Sequence, residues 1–484
     1  MLAQWPWETA SIDDLERLRL WSWGVFVFLA GACIGSFLGA LAYRWPRGYS
    51  IFSPLFSFCP ACRERLSWWA NLPIIGYLLV RARCTRCRAP VSPRYMVIEL
   101  VTAGLFLLVF WFFFAYADGP LHDLDSTIHL LGLLTRLVLL SLLVGIALID
   151  GEFGFVPLML SIPPIIFGPI AAAGLATHDL WLPMLTFAAA RELGPAIAGA
   201  TAGLLLANVL VWTGWLRRSY RIAPQTEARF AERDALLFEL ADRLGFDRVL
   251  TEEQYQHLLK ELPAEFANMQ EPVFNDRREM LWELAFLAFP LAGAVAAGLW
   301  WPAPNWMLLP EVRAGLGSLL GLLLGGLVVW YVRIIFTLML GRAAMGMGDV
   351  HLLAGVGAVL GWFGAVLAFL LGPVVAVFAL ILRRSMQFTQ PVPFGPWLCV
   401  GAVVAMLYGR TLWEGPRGVH DALQGLAYIL GTSASWPLGI VGFGLITLSA
   451  GMLGLVRAVL SGPAEPANAE ETASAPPETG PRSP

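Results

Sequence analysis

The feature that most constrains this chain is the recurrence of apolar stretches about 20 residues long, the length that crosses a bilayer as a helix. They run at 21–43, 96–116, 129–149, 155–175, 195–215, 284–301, 315–340, 350–361, 363–382, 395–408 and 437–460. Two of these, 350–361 and 395–408, are short for full crossings, and the Gly361–Trp362 turn between two stretches would have to be buried against neighbouring helices. Only 14% of the residues are charged, against about 25% in soluble domains. The expected fold is therefore an all-α polytopic membrane protein of about 9–11 transmembrane helices. Its partner is the lipid bilayer. A net charge of −3 leaves no basic excess for phosphate, so nucleic acid is not an expected partner.

Charge between the stretches sets the orientation. Arg44, Arg47, Arg63, Arg65, Arg81, Arg83, Arg86, Arg88 and Arg94 stand against a single acid, Glu64, so the loop after the first stretch is expected in the cytoplasm. The N-terminus, with Glu8, Asp13, Asp14 and Glu16, is then expected in the periplasm, and these acids leave no basic leader of a cleavable signal. Counting forward places Arg217 and Arg218, Arg342, and Arg383 and Arg384 on the cytoplasmic side. The expected divisions are 1–43 for the N-terminus and first span, 44–95 for a cytoplasmic loop, 96–215 for a first set of membrane helices, 216–283 for a charged insert, 284–460 for a second set, and 461–484 for a disordered tail. The insert carries Leu236, Leu237, Leu240 and Leu244 at helical spacing, which reads as a solvated helical module without catalysis. The tail has too little apolar surface to fold.

The loop 44–95 holds Cys59-Pro-Ala-Cys62 and Cys84-Thr-Arg-Cys87. Two C-x-x-C pairs match the four-thiolate zinc ribbon, and a cytoplasmic loop disfavours disulfides. Four thiolates close the coordination shell. A structural Zn²⁺ in a small cytoplasmic zinc-ribbon-like loop domain is expected, with no position for a catalytic water.

Ionisable residues at the ends of apolar spans are expensive and point to function. Asp150 ends the third stretch, and Asp349 follows the seventh within Gly346-Met347-Gly348-Asp349. Charge parity puts both on the cytoplasmic side, although they are 199 residues apart. Two facing carboxyls supply a route to peptide hydrolysis: one takes a proton from water while the other, still protonated, bonds the scissile carbonyl. The alternative is that each only caps a helix.

Taken together, these blocks resemble the type IV prepilin peptidases, bacterial inner-membrane aspartyl proteases of the GxGD class. The resemblance starts at Gly35-Ser36-Phe37-Leu38 and Tyr43-Arg44-Trp45-Pro46-Arg47. It runs through the cysteine pairs, Trp68–Pro73, Arg94-Tyr95 and Glu99 to Ile149-Asp150, and continues at Gly346–Asp349, Leu360-Gly361-Trp362 and Pro393-Phe394-Gly395-Pro396. It implies a catalytic dyad of Asp150 and Asp349, with Gly346, Gly348 and His351 supporting the active-site loop. His351 stands where the family has lysine, and Leu158 where it has Asp or Asn after the proline. The implied substrates are prepilins or pseudopilins with a short basic leader, cut at the cytoplasmic face. Many members of this family also methylate the new N-terminus with S-adenosylmethionine. A pilin-binding scaffold without catalysis and an ion or proton transporter are the competing expectations.

Overall fold

The computed structural model describes residues 12–47, 50, 57–59, 62, 64–114, 127–176, 185–244, 252–269, 274–385 and 393–414. Among them the fold is helical, with isolated β-bridges at Phe58–Arg65 and Arg83–Pro90. Eight helices among the described residues are long and apolar enough to cross a membrane. They are α1 (Ile12–Arg44), α3 (Arg94–Phe114), α4 (Thr127–Phe153), α5 (Leu158–Leu175), α6 (Phe187–Trp212), α10 (Asp276–Trp300), α11 (Pro310–Leu340) and α12 (Met347–Ser385). A short α2 (Ile75–Leu79) lies in the cysteine loop, and α13 (Gly395–Glu414) adds a shorter apolar segment. The stretch at 437–460, the tail and the acidic run 118–125 lie outside the described residues. This is a multi-pass membrane protein.

Side-chain exposure fits lipid as the solvent. The apolar window of α10 is only 11% buried by protein, and Leu291, Val295 and Leu299 point outward. In water such a helix would be an aggregation surface; in hydrocarbon it is ordinary.

The expected stretches 350–361 and 363–382, on either side of Gly361, meet as a single element, α12, with a break inside it. Gly361 has φ 77° and ψ 174°, a conformation that side chains strongly disfavour. The chain reverses there. A side chain at Gly325 would touch both Leu353 and Ala365, and twelve residues of straight helix would separate those two by about 18 Å. Gly348 and Gly395 both pack on Val156, which a straight helix of 39 residues, about 58 Å long, would forbid. So α12 is a helical hairpin, and it returns the chain to the end of the bundle where it began.

Close backbone approach holds this hairpin against α11. Any side chain at Gly321 would fall on the Gly357 carbonyl, and any at Gly357 on the Gly321 carbonyl. Ser318 Oγ donates to the Ala358 carbonyl at 2.5 Å. Without water to release, helices in lipid associate through such small-residue packing and interhelical hydrogen bonds. The resulting core joins α1, α3, α4, α5, α11, α12 and α13 around Phe110, Leu140, Leu143, Ile149, Leu353 and Phe369. Helices α6 and α10 form a second pair that touches the core through α11.

The insert folds as α7 (Pro224–Leu244), α8 (Glu252–Glu261) and α9 (Ala264–Ala267). Leu237, Ala241, Leu258, Leu262 and Phe266 close a small core of their own.

Gly357→Leu should lower thermal stability in detergent by about 1–3 kcal/mol, the cost of overpacking a close contact. Gly104→Ala, where an added methyl meets nothing within 4 Å among the described residues, should leave it unchanged. The melting temperatures of the two variants check this.

Candidate active site

Asp150 lies one turn before the end of α4. The chain then bends through Gly154, at φ 72°, and the extended Pro157 starts α5. Asp349 is in the first turn of α12. It follows a loop that begins at Gly341, the left-handed C-cap of α11. The two aspartates are thus delivered by a helix end and a helix start that face each other.

Val156, in the turn after α4, is met by both Gly348 and Gly395. A Cβ on Gly348 would come within 2.6 Å of the Val156 Cβ, and one on Gly395 would enter the Asp150 carboxylate. Both glycines are therefore demanded by space. The Gly395 N–H points at the Asp150 carboxylate, and the Gly346 N–H at that of Asp349. The carboxylates lie within Coulombic range of each other. Asp150 is 4% exposed and Asp349 8%, and among the described residues Asp150 Oδ2 has no hydrogen-bond partner. A buried acceptor left open is costly unless something else fills it. The helix-capping alternative for Asp349 does not account for the buried second carboxylate beside it.

Glu152, two residues beyond Asp150, ties this end of α4 to the first loop. It pairs with Arg47 Nη2 at 3.3 Å and Arg94 Nη2 at 2.5 Å. The Arg47 guanidinium also lies over the Tyr43 and Phe153 rings. His351, by contrast, turns back on its own helix: Nδ1 is 2.8 Å from the Met347 carbonyl oxygen. A cation within Coulombic range of Asp349 is Arg333 of α11. Neither Arg333 nor its partner Glu283 on α10 stands out in motif or spacing. The signal that finds them is simply an ionisable residue inside an apolar helix.

The four loop cysteines come together as their spacing requires. Each knuckle closes by the same bond, Cys59 N–H to the Glu64 carbonyl and Cys84 N–H to the Ala89 carbonyl, both 2.9 Å. The four Sγ atoms lie within 4.8 Å of one another. Cys59 and Cys87 sulfurs are 3.8 Å apart, matching the edge of a tetrahedron with metal–sulfur distances of about 2.3 Å. Backbone N–H groups of Cys87 and Arg86 aim at Cys84 and hold its thiol down to about 6. At Cys62 a backbone N–H from Glu64 favours the thiolate, but desolvation and the three neighbouring sulfurs outweigh it and push the thiol up to about 11. Four thiolates so close need a cation to coexist, and the donor set fits a metal ion.

Beside the knuckle is a cavity of about 340 Å³ lined by Tyr43, Tyr77, Tyr95, Asn71, Arg44 and Glu99, among others. Glu99 is buried and accepts the Ile74 N–H at 2.7 Å, which holds the strained Ile74, at φ 62°, against α3.

Comparison with known proteins bears on the same regions. The family model for the bacterial peptidase A24 N-terminal domain matches residues 29–113. A prepilin leader peptidase/N-methyltransferase of Klebsiella pneumoniae is 33% identical over 198 residues, which are 39% of this chain and 74% of that protein. One from Myxococcus xanthus is 35% identical over 191 residues, covering 40% of this chain and 49% of its own length. Another, from Aeromonas hydrophila, is 24% identical over 429 residues, 83% of this chain and 97% of its own. No solved structure matches. Identity at this level with the Klebsiella protein over most of its length places the chain in the prepilin leader peptidase/N-methyltransferase family.

Proposed function

We propose that the chain is an intramembrane aspartyl endopeptidase of the bacterial inner membrane. It removes the basic leader from type IV prepilins or pseudopilins at the cytoplasmic face. The observation that carries this reading is the pair of buried carboxyls, Asp150 and Asp349, each faced by a backbone N–H and set side by side at one end of the bundle. Like charges so close in a poorly hydrated site do not both ionise, so the pair holds one proton between them.

The ionised member takes a proton from water as its oxygen attacks the scissile carbonyl carbon. The protonated member donates to the carbonyl oxygen. The tetrahedral intermediate collapses as the first carboxyl returns its proton to the departing amine, which becomes the N-terminus of the mature helix. A substrate whose apolar helix lies in the bilayer would present its leader at the cytoplasmic surface, beside the two aspartates. The Gly346–Gly348 segment lets a substrate strand approach the backbone closely.

The four cysteines Cys59, Cys62, Cys84 and Cys87 would hold a structural zinc ion. Bound there, zinc fixes the fold of the loop and supplies no catalytic position. S-adenosylmethionine, the donor for methylation of the new N-terminus, is an activated sulfonium that transfers its methyl group to an amine. The cavity between α1, the cysteine loop and α3 fits such a cofactor in size. Its Tyr43, Tyr77 and Tyr95 rings would face a sulfonium or an adenine, with Glu99 and Asn71 as polar positions.

Incubation of the purified protein with a prepilin-like peptide, followed by mass spectrometry of both fragments, tests the activity. Asp150→Asn and Asp349→Asn should each lower cleavage by roughly 10²–10⁴-fold while the protein remains inserted and folded. Near-normal turnover in either variant would remove the dyad from the mechanism.

Metal analysis should find about one zinc per chain. Replacing Cys84 and Cys87 together by serine should release the metal and loosen residues 57–95 to protease, with the membrane helices intact. Freshly purified, reduced protein without zinc would count against the metal site.

A further inference from the structure

Three consecutive backbone groups of the loop leading into Gly346–Asp349 are each met by a side chain from α10 or α11. Asp276 Oδ2 accepts the Ala343 N–H at 3.2 Å. Thr337 Oγ1 accepts the Ala344 N–H at 3.2 Å. Arg333 Nη1 donates to the Met345 carbonyl. A short loop between two membrane helices has few other ways to satisfy these groups, and each one met fixes a peptide plane just before Asp349.

Arg333 is the member that is itself fixed. Its Nε and Nη2 donate to Glu283 at 3.0–3.2 Å. Trp330 Nε1 donates to the same carboxylate at 2.7 Å. Arg333 is 5% exposed and Glu283 2%. The Arg333 guanidinium also lies over the Tyr220 ring, and Tyr220 is bound in turn by Asp276 and Glu279. Only a planar fork with donors on three nitrogens can hold a carboxylate with two of them and a carbonyl with the third.

We infer that Arg333, anchored by Glu283, is a positioning residue that sets the Gly346–Asp349 loop, and with it the Asp349 carboxyl, opposite Asp150. The assignment rests on the reading of Asp349 as catalytic. It differs from the His351 expectation, since the group that braces the loop comes from the preceding helix and acts on the backbone. It also gives the α6–α10 pair a task, because Glu283 and Asp276 belong to α10.

Arg333→Lys separates positioning from simple stability. A lysine keeps a cation opposite Glu283 but cannot reach the Met345 carbonyl at the same time. In the full-length protein, this variant should keep its melting temperature and lower kcat by roughly 10- to 100-fold, the cost of a misplaced reacting group. KM should stay within about threefold, since uniform binding is untouched. Hydrogen exchange should quicken at residues 343–348 and nowhere else in the membrane core. Glu283→Gln, which leaves the Arg333 charge buried without its counter-ion, should shift kcat and loop exchange in the same direction and also lower the melting temperature. Arg313→Lys, at a half-buried arginine on the far end of α11 that donates to the Leu185 carbonyl, should change neither kcat nor loop exchange.

Unchanged kcat in Arg333→Lys would overturn the proposal, whatever the exchange. So would a loss of activity in that variant accompanied by faster exchange throughout the core and a fallen melting temperature. An active Asp349→Asn protein would instead defeat the reading of the dyad, an outcome distinct from either.

Discussion

Everything at the candidate site depends on the reversal of α12 at Gly361. The helix that starts with Asp349 must leave the site, and the segment that covers Asp150 must enter it, at the same end of the bundle. A hairpin inside the membrane accomplishes this at a single residue with positive φ. A break in helical hydrogen bonding there is tolerable only where protein covers it. The contact of Gly321 with Gly357 and Gly361 provides that cover. The same hairpin brings Gly395 against Asp150, so the turn and the chemistry are geometrically one feature.

Around the aspartates, charge is used in closed sets. Glu152 is shared by Arg47 and Arg94 on one side, and Glu283 is held by Arg333 and Trp330 on the other. Buried ion pairs add little net stability, because desolvation offsets most of their attraction. Removing one partner is a different matter, since the other charge is left buried alone. Such groups are therefore better read as geometry than as glue. One set ties α4 to the first loop, and the other ties α10 and α11 to the loop before Asp349. The charged insert is joined to the second set through Arg217 and Tyr220, which bond Glu279 and Asp276 at the start of α10.

Much of the molecule was legible in residue order. Apolar length specified the helices, because a bilayer leaves a spanning backbone no partners but its own. The cysteine spacing specified the cluster, since a C-x-x-C turn can aim both sulfurs one way. The two aspartates were visible as acids where acids are costly, and the ordered motifs brought the family into view before any geometry. Gly361 was readable as a turn between two apolar stretches. Arg333 and Glu283 carried only the signal of a charge inside an apolar helix, and nothing in residue order paired them across 50 residues.

The sequence by itself determined that this is a multi-pass helical membrane protein with a four-cysteine loop, and which acids were worth watching. These are local properties: hydrophobic length, ligand spacing and the cost of charge in lipid act on neighbours along the chain. Only the tertiary structure decided that α12 folds back, that Gly395 closes over Asp150, that His351 turns to its own helix, and that Arg333 holds the loop before Asp349. Those outcomes depend on which small residues let two backbones touch and which buried charges find each other. Contact and desolvation act between segments far apart in the chain, and no local pattern records the distance between them.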